Sequence, residues 1–335
     1  MKVLLLAGGD SSENQVSLNS GDAIFNALKR LGHEVTAIDP ADGRKLIAAD
    51  GSFQKTLPDI ASTAIQTQKN LQLSLSNLTA VDADVVFLGL HGGTGENGTL
   101  QCLLDLAGVK YTGSGMTASA IAMNKAISKR LFASMNIPTP EWGFYQVDSA
   151  LQLKQIAARV GRQYSFPIII KPNEGGSTVG LSKVNDPASV PAALQKAIQE
   201  GPGVLVEAYI PGRELTVAVL NGSALPIVEI KPKNELYDYQ AKYTKGMSEY
   251  VAPAELEPGL AVHIQRDAEK AYEAIGAAGL IRVDFILDPT GKFFCLEINT
   301  LPGMTNLSLA PMAANCAGIS FDELVDRIIK AALER

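Results

Sequence analysis

Cysteine, histidine and tryptophan are scarce in this 335-residue chain: three cysteines, three histidines and one tryptophan. Cys102, Cys295 and Cys316 contain no CxxC pair, and His33, His91 and His263 lack metal-ligand spacing. A disulfide framework and a zinc site are argued against, and the pattern suits a reducing cytoplasm. Basic excess is also missing. Lys and Arg number 29 against 35 Asp and Glu, a net charge of −6, which speaks against a sequence-independent grip on nucleic acid. No basic run suggests a membrane surface, and no apolar run approaches bilayer-spanning length. The run Val3 to Ala7 stops in Gly8-Gly9, so it reads as a first buried strand and not as a signal-peptide core. The remainder is ordinary for a globular protein, 46% apolar and 19% charged. The length suits two or three units with large cores.

Taken in order, residues 2–38 read as strand, helix, strand, a βαβ opening that predicts a parallel sheet. The turn after the first strand carries Glu13, at the sheet end where open α/β sheets bind ligands. A plainer role for Glu13 is a helix-start carboxylate favoured by the dipole, and Ser12-x-x-Gln15 has the form of a capping box. Residues 40–80 read as a surface excursion. Residues 84–90 predict a buried strand, followed by Gly93, Gly95 and Gly98 in GxGxxG spacing. No acidic residue stands about 20 positions on to hold a ribose, so dinucleotide binding is rejected. A backbone able to approach a ligand closely is the weaker expectation. One helix is expected from Ala118 to Met135, carrying Lys125 and Lys129, and either lysine alone reads as solvated. Pro138 and Pro140 mark a domain join.

Beyond the join, strands follow in closer succession. A strand ends in Lys171, and the loop Gly175-Gly176-Ser177-Thr178 has the backbone donors and hydroxyls to fold over phosphates. It is not a P-loop, lacking Gly-Lys-Ser/Thr and a following helix. Glu207 lies on the next strand and Glu214 on the turn after it. A polar, Tyr-rich loop over 231–253 is long enough to act as a lid.

Near the C-terminus, Asp288-Pro289-Thr290-Gly291 is a type I turn signal between two short apolar runs. With Leu287 opposite Lys292, Arg282 faces Glu297 and Asp284 lies diagonal to it. Arg282, Asp284, Glu297 and Asn299 then share one face, and Val283, Phe285, Leu296 and Ile298 the core face. Two carboxylates and an amide make a hard-oxygen site of the kind Mg²⁺ uses with phosphates. A solvated polar face of an ordinary hairpin is equally compatible with these residues.

The order of these motifs resembles the ATP-grasp superfamily, and more closely the D-alanine–D-alanine ligase family. The signatures are Gly8-Gly9-x-Ser-x-Glu13 with Val16-Ser17-Leu18; His91-Gly92-x-x-Gly95-Glu96; residues 111–115; Lys171-Pro172; Asp238-Tyr239-x-x-Lys242-Tyr243; and residues 299–305. The chain has Glu13-Asn14-Gln15 where the family commonly shows Glu-Arg-Glu. The resemblance implies a Rossmann-like α/β domain over 1–113 binding the first D-alanine. An α+β, two-part ATP-grasp fold would follow, with a phosphate-loop subdomain over 114–207 and metal and acceptor sites over 208–335. It implies ATP held by Lys125, Lys171, Gly176, Ser177, Thr178, Glu207 (adenine), Glu214 (ribose) and Lys242. It assigns two Mg²⁺ ions, or Mn²⁺ in their place, to Asp284, Glu297 and Asn299. Glu13, helped by Ser177, would anchor the first D-alanine, Ser308 and Leu309 would hold the second, and His91 would also bind substrate. Arg282 and the Gly303 N–H would stabilise an oxyanion, and Tyr243 would complete the lid. A homodimer completes what the resemblance implies, beside the cytoplasmic location and the lack of nucleic-acid and membrane partners expected from composition.

Overall fold

The computed structural model describes residues 1–55, 82–233 and 248–335. Lys242, Tyr243 and most of the expected surface excursion lie outside the described residues. Among the described residues no helix is long and apolar enough to cross a membrane.

Three sheets carry the molecule. The first contains β1 (Lys2–Leu6), β2 (Glu34–Asp39), β3 (Arg44–Lys45) and β4 (Val85–Leu88) in the order β3-β2-β1-β4. β1 pairs in parallel with β2 and β4, and β3 adds an antiparallel edge. All four residues of β4 are buried, as expected of a parallel strand covered on both faces. Helix α1 (Asn14–Arg30) joins β1 to β2 and buries Leu18, Ile24, Ala27 and Leu28. The capping box expected at its start is not made: Glu13 is the N-cap, and its side chain makes no cap hydrogen bond. After β4 come α2 (Gly93–Glu96) and α3 (Thr99–Leu106). Past α3 the chain touches this sheet again through a single parallel bridge between Val86 and Tyr111.

The predicted helix 118–135 is two helices, α4 (Met116–Met123) and α5 (Lys125–Ser134). Asn124 between them is extended and its side chain accepts from Ile127 N–H. An Asn whose side chain satisfies an early N–H is a strong N-cap and restarts the helix. The consequence is positional: Lys125 opens α5, and Lys129 lies one turn on along the same face.

A second sheet holds β5 (Trp142–Gln146), β6 (Ile168–Pro172), β7 (Ser182–Val184) and β8 (Gly203–Ala208), ordered β5-β8-β6-β7 and antiparallel throughout. Helices α6 (Ala150–Gln163) and α7 (Val190–Ala197) cover one face through Leu153, Val160, Val190 and Leu194.

The third and largest sheet contains β9 (Arg213–Leu220), β10 (Ser223–Ala224), β11 (Val228–Pro232), β12 (Ser248–Val251), β13 (Leu280–Leu287) and β14 (Phe293–Asn299). Strands β11 and β12 pair antiparallel up to Pro232 opposite Ser248. The ends of the expected loop 231–253 are therefore strand. Alternation along β9 and β13 divides the faces. Leu215, Val217, Val219, Ile281, Val283 and Phe285 enter a core shared with α8 (Pro258–Ile275) and with Ala118, Ala122 and Phe132 of α4 and α5. Helices α4 and α5 thus pack under the third sheet, although they precede the second in sequence. Helices α9 (Leu309–Cys316) and α10 (Phe321–Leu333) join the N-terminal core through Leu309, Leu324, Val325 and Ile328.

Candidate active site

The second and third sheets face each other across a cavity of about 350 Å³, lined by Lys171 and Glu207 from one and Glu214, Arg282 and Asp284 from the other. A second cavity of about 780 Å³ is lined by Glu13, His91, Asn299, Gly303 and Ser308. Lys125, Gly176, Ser177, Arg282, Glu297 and Leu309 line both. Two compartments therefore meet at a wall of two cations, a carboxylate and a hydroxyl.

The hairpin that supplies the acidic wall has a register different from the expected one. Gly291, at φ 87°, closes the type I turn with a left-handed residue, so Leu287 pairs with Phe293 and not with Lys292. Glycine is the residue that adopts this conformation without steric cost. A bulge between Asp284 and Phe285 shifts the pairing once more, setting Asp284 opposite Glu297 and Arg282 opposite Asn299. Two one-residue shifts preserve the face, because side chains alternate with period two. The bulge also exchanges two residues. Cys295 occupies the core position, while Leu296, expected in the core, lines the first cavity.

Asp284 is gripped from three sides. Arg282 donates Nε to Oδ1 at 2.9 Å and a terminal nitrogen to Oδ2 at 2.8 Å. Thr216 Oγ1 donates to Oδ1 at 2.6 Å, and Asn299 Nδ2 to Oδ2 at 3.0 Å. Thr216, two residues from Glu214 on the cleft face of β9, was not singled out by sequence. Its alternation with Glu214 is the signal that could have found it.

Behind the first cavity lies a buried charge cluster. Glu207 is 3% exposed and Lys129 0%. Lys129 Nζ sits 2.7 Å from one carboxylate oxygen and Lys171 Nζ 2.8 Å from the other. Lys129 also donates to Thr139 Oγ1 at 2.5 Å. Burial works against the charge on Glu207, but the two ammoniums outweigh it and hold the carboxyl below its usual range. Burial likewise opposes the charge on Lys171, and Glu207 and Glu297 overcome it, so that ammonium is held above its ordinary range. Lys129, the deepest of the three, is pushed down by burial. Lys129 corrects the expectation of a solvated helix lysine. Its carboxylate partner lies far off in sequence, and no local pattern marks the pair. Lys125 Nζ donates to Gly175 O at 2.7 Å and lies 3.7 Å from Glu297 Oε2.

Gly175 to Gly180 form the loop between β6 and β7. Ser177 and Thr178 both hold positive φ, 50° and 63°, a left-handed conformation that costs L-residues about 1–2 kcal/mol each. Strain of this kind concentrates at functional sites. Ser177 Oγ donates to Glu13 Oε1. The Glu13 carboxylate is thus turned across to this loop, away from a capping role. Two glycines leave room for it. A Cβ on Gly176 would lie 2.8 Å from Glu13 Oε2, and one on Gly92 2.9 Å. The three glycines of the GxGxxG pattern serve packing instead, against Asp10, Leu90 and Met116.

The run from Thr300 to Leu309 is held largely from the N-terminal domain. Glu96 accepts from Gly92 N–H at 2.9 Å and from Leu301 N–H at 3.1 Å, and burial raises its pKa. His91 Nδ1 lies 2.8 Å from Leu301 O and Nε2 2.9 Å from Ser20 Oγ. Both ring nitrogens are thus bonded to protein atoms, while the residue lines the second cavity. Burial pushes the imidazole pKa down, favouring the neutral ring. Ser308 Oγ accepts from Thr305 N–H at 3.1 Å, and a Cβ on Gly303 would lie 2.8 Å from that oxygen. Gly303 and Ser308 are therefore in close contact. Glu214 lines the first cavity and Leu309 both.

Among the described residues, no group of three or more His, Cys, Asp or Glu could form an all-protein metal cage. Asp284 and Glu297, paired across the hairpin, with the Asn299 amide beside them, offer a small set of hard oxygens. That set fits Mg²⁺ or Mn²⁺ completed by phosphate and water, and not a dedicated Ca²⁺ site.

The family model for the D-ala D-ala ligase N-terminus matches residues 2–114, and that for the D-ala D-ala ligase C-terminus matches residues 131–330. A D-alanine–D-alanine ligase of Gloeobacter violaceus is 43% identical over 336 residues, covering 100% of both chains. Among solved structures, a D-alanine–D-alanine ligase of Bacillus anthracis superposes with TM-score 0.78 at 31% identity, covering 100% of this chain and 98% of that one. A structure from the same organism complexed with ATP gives TM-score 0.78 at 29% identity with the same coverage.

Proposed function

The chain belongs to the D-alanine–D-alanine ligase family, and on that premise we propose that its cleft joins two D-alanines, using ATP, through an acylphosphate. The product, D-alanyl-D-alanine, serves peptidoglycan precursor synthesis. The observation that carries the reading is the wall shared by the two cavities, formed by Lys125, Ser177, Arg282 and Glu297. A ligase of this kind needs a nucleotide compartment and an amino-acid compartment that open onto one reacting centre.

In this reading ATP lies between the second and third sheets. Lys125 and Lys171 meet its phosphates as point charges, and the 175–180 loop covers them. Glu214 takes the ribose hydroxyls. Glu207 borders the adenine, and its two lysine partners keep it charged. Glu13, tied to Ser177, anchors the ammonium of the first D-alanine. A carboxylate oxygen of that substrate forms a bond to the γ-phosphorus as the bond from phosphorus to the ADP oxygen breaks. The acylphosphate formed carries a good leaving group. The amine of the second D-alanine, held through its carboxylate by Ser308 and Leu309, then attacks the carbonyl carbon. The carbon–oxygen bond to phosphate breaks, inorganic phosphate leaves, and the amine loses its proton.

Arg282 and the Gly303 N–H face the oxyanion of that second step, a charge best stabilised by donors already oriented. Asp284, Glu297 and Asn299 would hold two Mg²⁺ ions, which would supply positive charge beside the transferring phosphoryl group. By resemblance to the family, Lys242 and Tyr243 would help exclude water, since an acylphosphate hydrolyses. The scarce, unpaired cysteines favour a reducing cytoplasm as its place of work, and family resemblance alone supports a homodimer.

The test is ATP-dependent phosphate release across a panel of D-amino and D-hydroxy acids, with dipeptide identified by mass spectrometry. Release with D-alanine, matched by D-alanyl-D-alanine, is expected. Release only with a different acceptor would overturn the substrate assignment.

A further inference from the structure

We infer that Ser20, in the middle of α1, is a positioning residue for the second chemical step, acting with His91 to hold the backbone on either side of Gly303. The inference rests on Gly303 N–H serving as an oxyanion donor.

The hydrogen-bond directions follow from chemistry. Leu301 O can only accept, so His91 Nδ1, 2.8 Å away, carries the proton. In the neutral ring Nε2 is then an acceptor, and the Ser20 hydroxyl, 2.9 Å away, donates to it. That leaves a lone pair on Ser20 Oγ, which accepts from Met304 N–H at 3.1 Å. One relay thus runs from Leu301 O through His91 and Ser20 to Met304 N. Its two ends bracket Pro302-Gly303.

Each member is buried: Ser20 0% exposed, His91 6%, Met304 5%. Water therefore offers little substitute for a lost partner. Leu301 N–H is held as well, by Glu96. The Leu301–Pro302 and Gly303–Met304 peptide planes are thus set from the N-terminal domain, and the Pro302–Gly303 plane that carries the Gly303 N–H lies between them. Pro302 stiffens the span between them, because its φ is fixed. An oxyanion donor acts only if its N–H already points where charge develops, and a misplacement of about 1 Å can cost roughly 100-fold in rate.

The relay bears on carbonyl attack and not on phosphoryl transfer, which gives a readout that general structural damage would not mimic. Ser20→Ala keeps a good helix former and deletes the hydroxyl alone. It is expected to lower kcat for dipeptide formation about 10-fold or more while leaving KM for ATP within about twofold. Acylphosphate formation is followed separately, by scrambling of an isotope-labelled β,γ-bridge oxygen in ATP. The ratio of scrambling to dipeptide formation should rise in the variant. His91→Ala cuts the same relay at its other member and should repeat the pattern. The inference is overturned if either variant, folded as judged by its melting curve, makes dipeptide at the wild-type rate. It is equally overturned if scrambling and synthesis fall together. Failure of the ligase reading itself looks different: the wild-type protein would then form no D-alanyl-D-alanine.

Discussion

Lys129 and Glu207 form an ion pair of 2.7 Å in which neither residue is more than 3% exposed. Breaking a buried pair from one side typically costs about 3–5 kcal/mol, and here Lys171 still compensates part of the Glu207 charge. Lys129→Met should therefore destabilise the protein by up to about that amount, measured by urea unfolding. Because Glu207→Gln also takes the partner from Lys171, Lys129→Met combined with Glu207→Gln should cost less than the sum of the two single substitutions. A cost equal to that sum would mean that Lys129 and Glu207 are not coupled.

The same carboxylate predicts an acid limb. Its folded pKa lies below the ordinary 4.5, because Lys129 and Lys171 outweigh the opposing effect of burial. Between that lowered value and 4.5 the unfolded chain binds more protons, so stability rises with pH there. Stability is fully present above about 4.5 and is lost as pH falls through the folded value. Glu207→Gln should flatten this limb of a stability–pH curve, and an unchanged slope would assign it to other groups.

Asp284→Asn keeps the size of the side chain, removes the charge opposite Glu297, and turns one acceptor oxygen into an amide nitrogen that cannot accept from Arg282 and its second donor, Thr216 or Asn299. Folding should survive, and ATP turnover should fall about 100-fold or more, since a carboxylate ligand to the metal is lost. Its Mg²⁺ titration should shift to higher concentration. Turnover near wild type would remove Asp284 from the metal site.

Gly176→Ala tests the first-substrate pocket without backbone strain, since Gly176 is not among the residues with positive φ. The new methyl would lie 2.8 Å from Glu13 Oε2. Because Glu13 can swing aside, the fold should hold and KM for the first D-alanine should rise about 10-fold, an effect of a displaced charge partner worth about 1.4 kcal/mol. An unchanged KM would show that Glu13 does not anchor the ammonium.

Alternation and local turn chemistry were written in the sequence. Arg282, Asp284, Glu297 and Asn299 share a face whichever of the two registers is used, because the strand period is two and the shift is two. The strand lysine, the strained glycine-rich loop and the βαβ opening likewise depend on neighbours close in the chain. The bulge and the helix break at Asn124 were less legible, since both turn on one residue's backbone conformation.

Tertiary structure alone decided which polar atoms meet. Lys129 has the sequence context of a solvated helix lysine, and becomes buried only because α5 packs beneath the third sheet. Glu13 stands where a helix-start carboxylate would, yet it bonds to Ser177, 164 residues away. Ser20 looks like one more small residue on an amphipathic helix, and bonds to Met304 across 284 residues. Local propensity acts over a few residues, whereas these bonds are set by how the domains dock. The sequence therefore determined the elements and the faces of the strands, and the docking of three sheets decided which of their side chains act together.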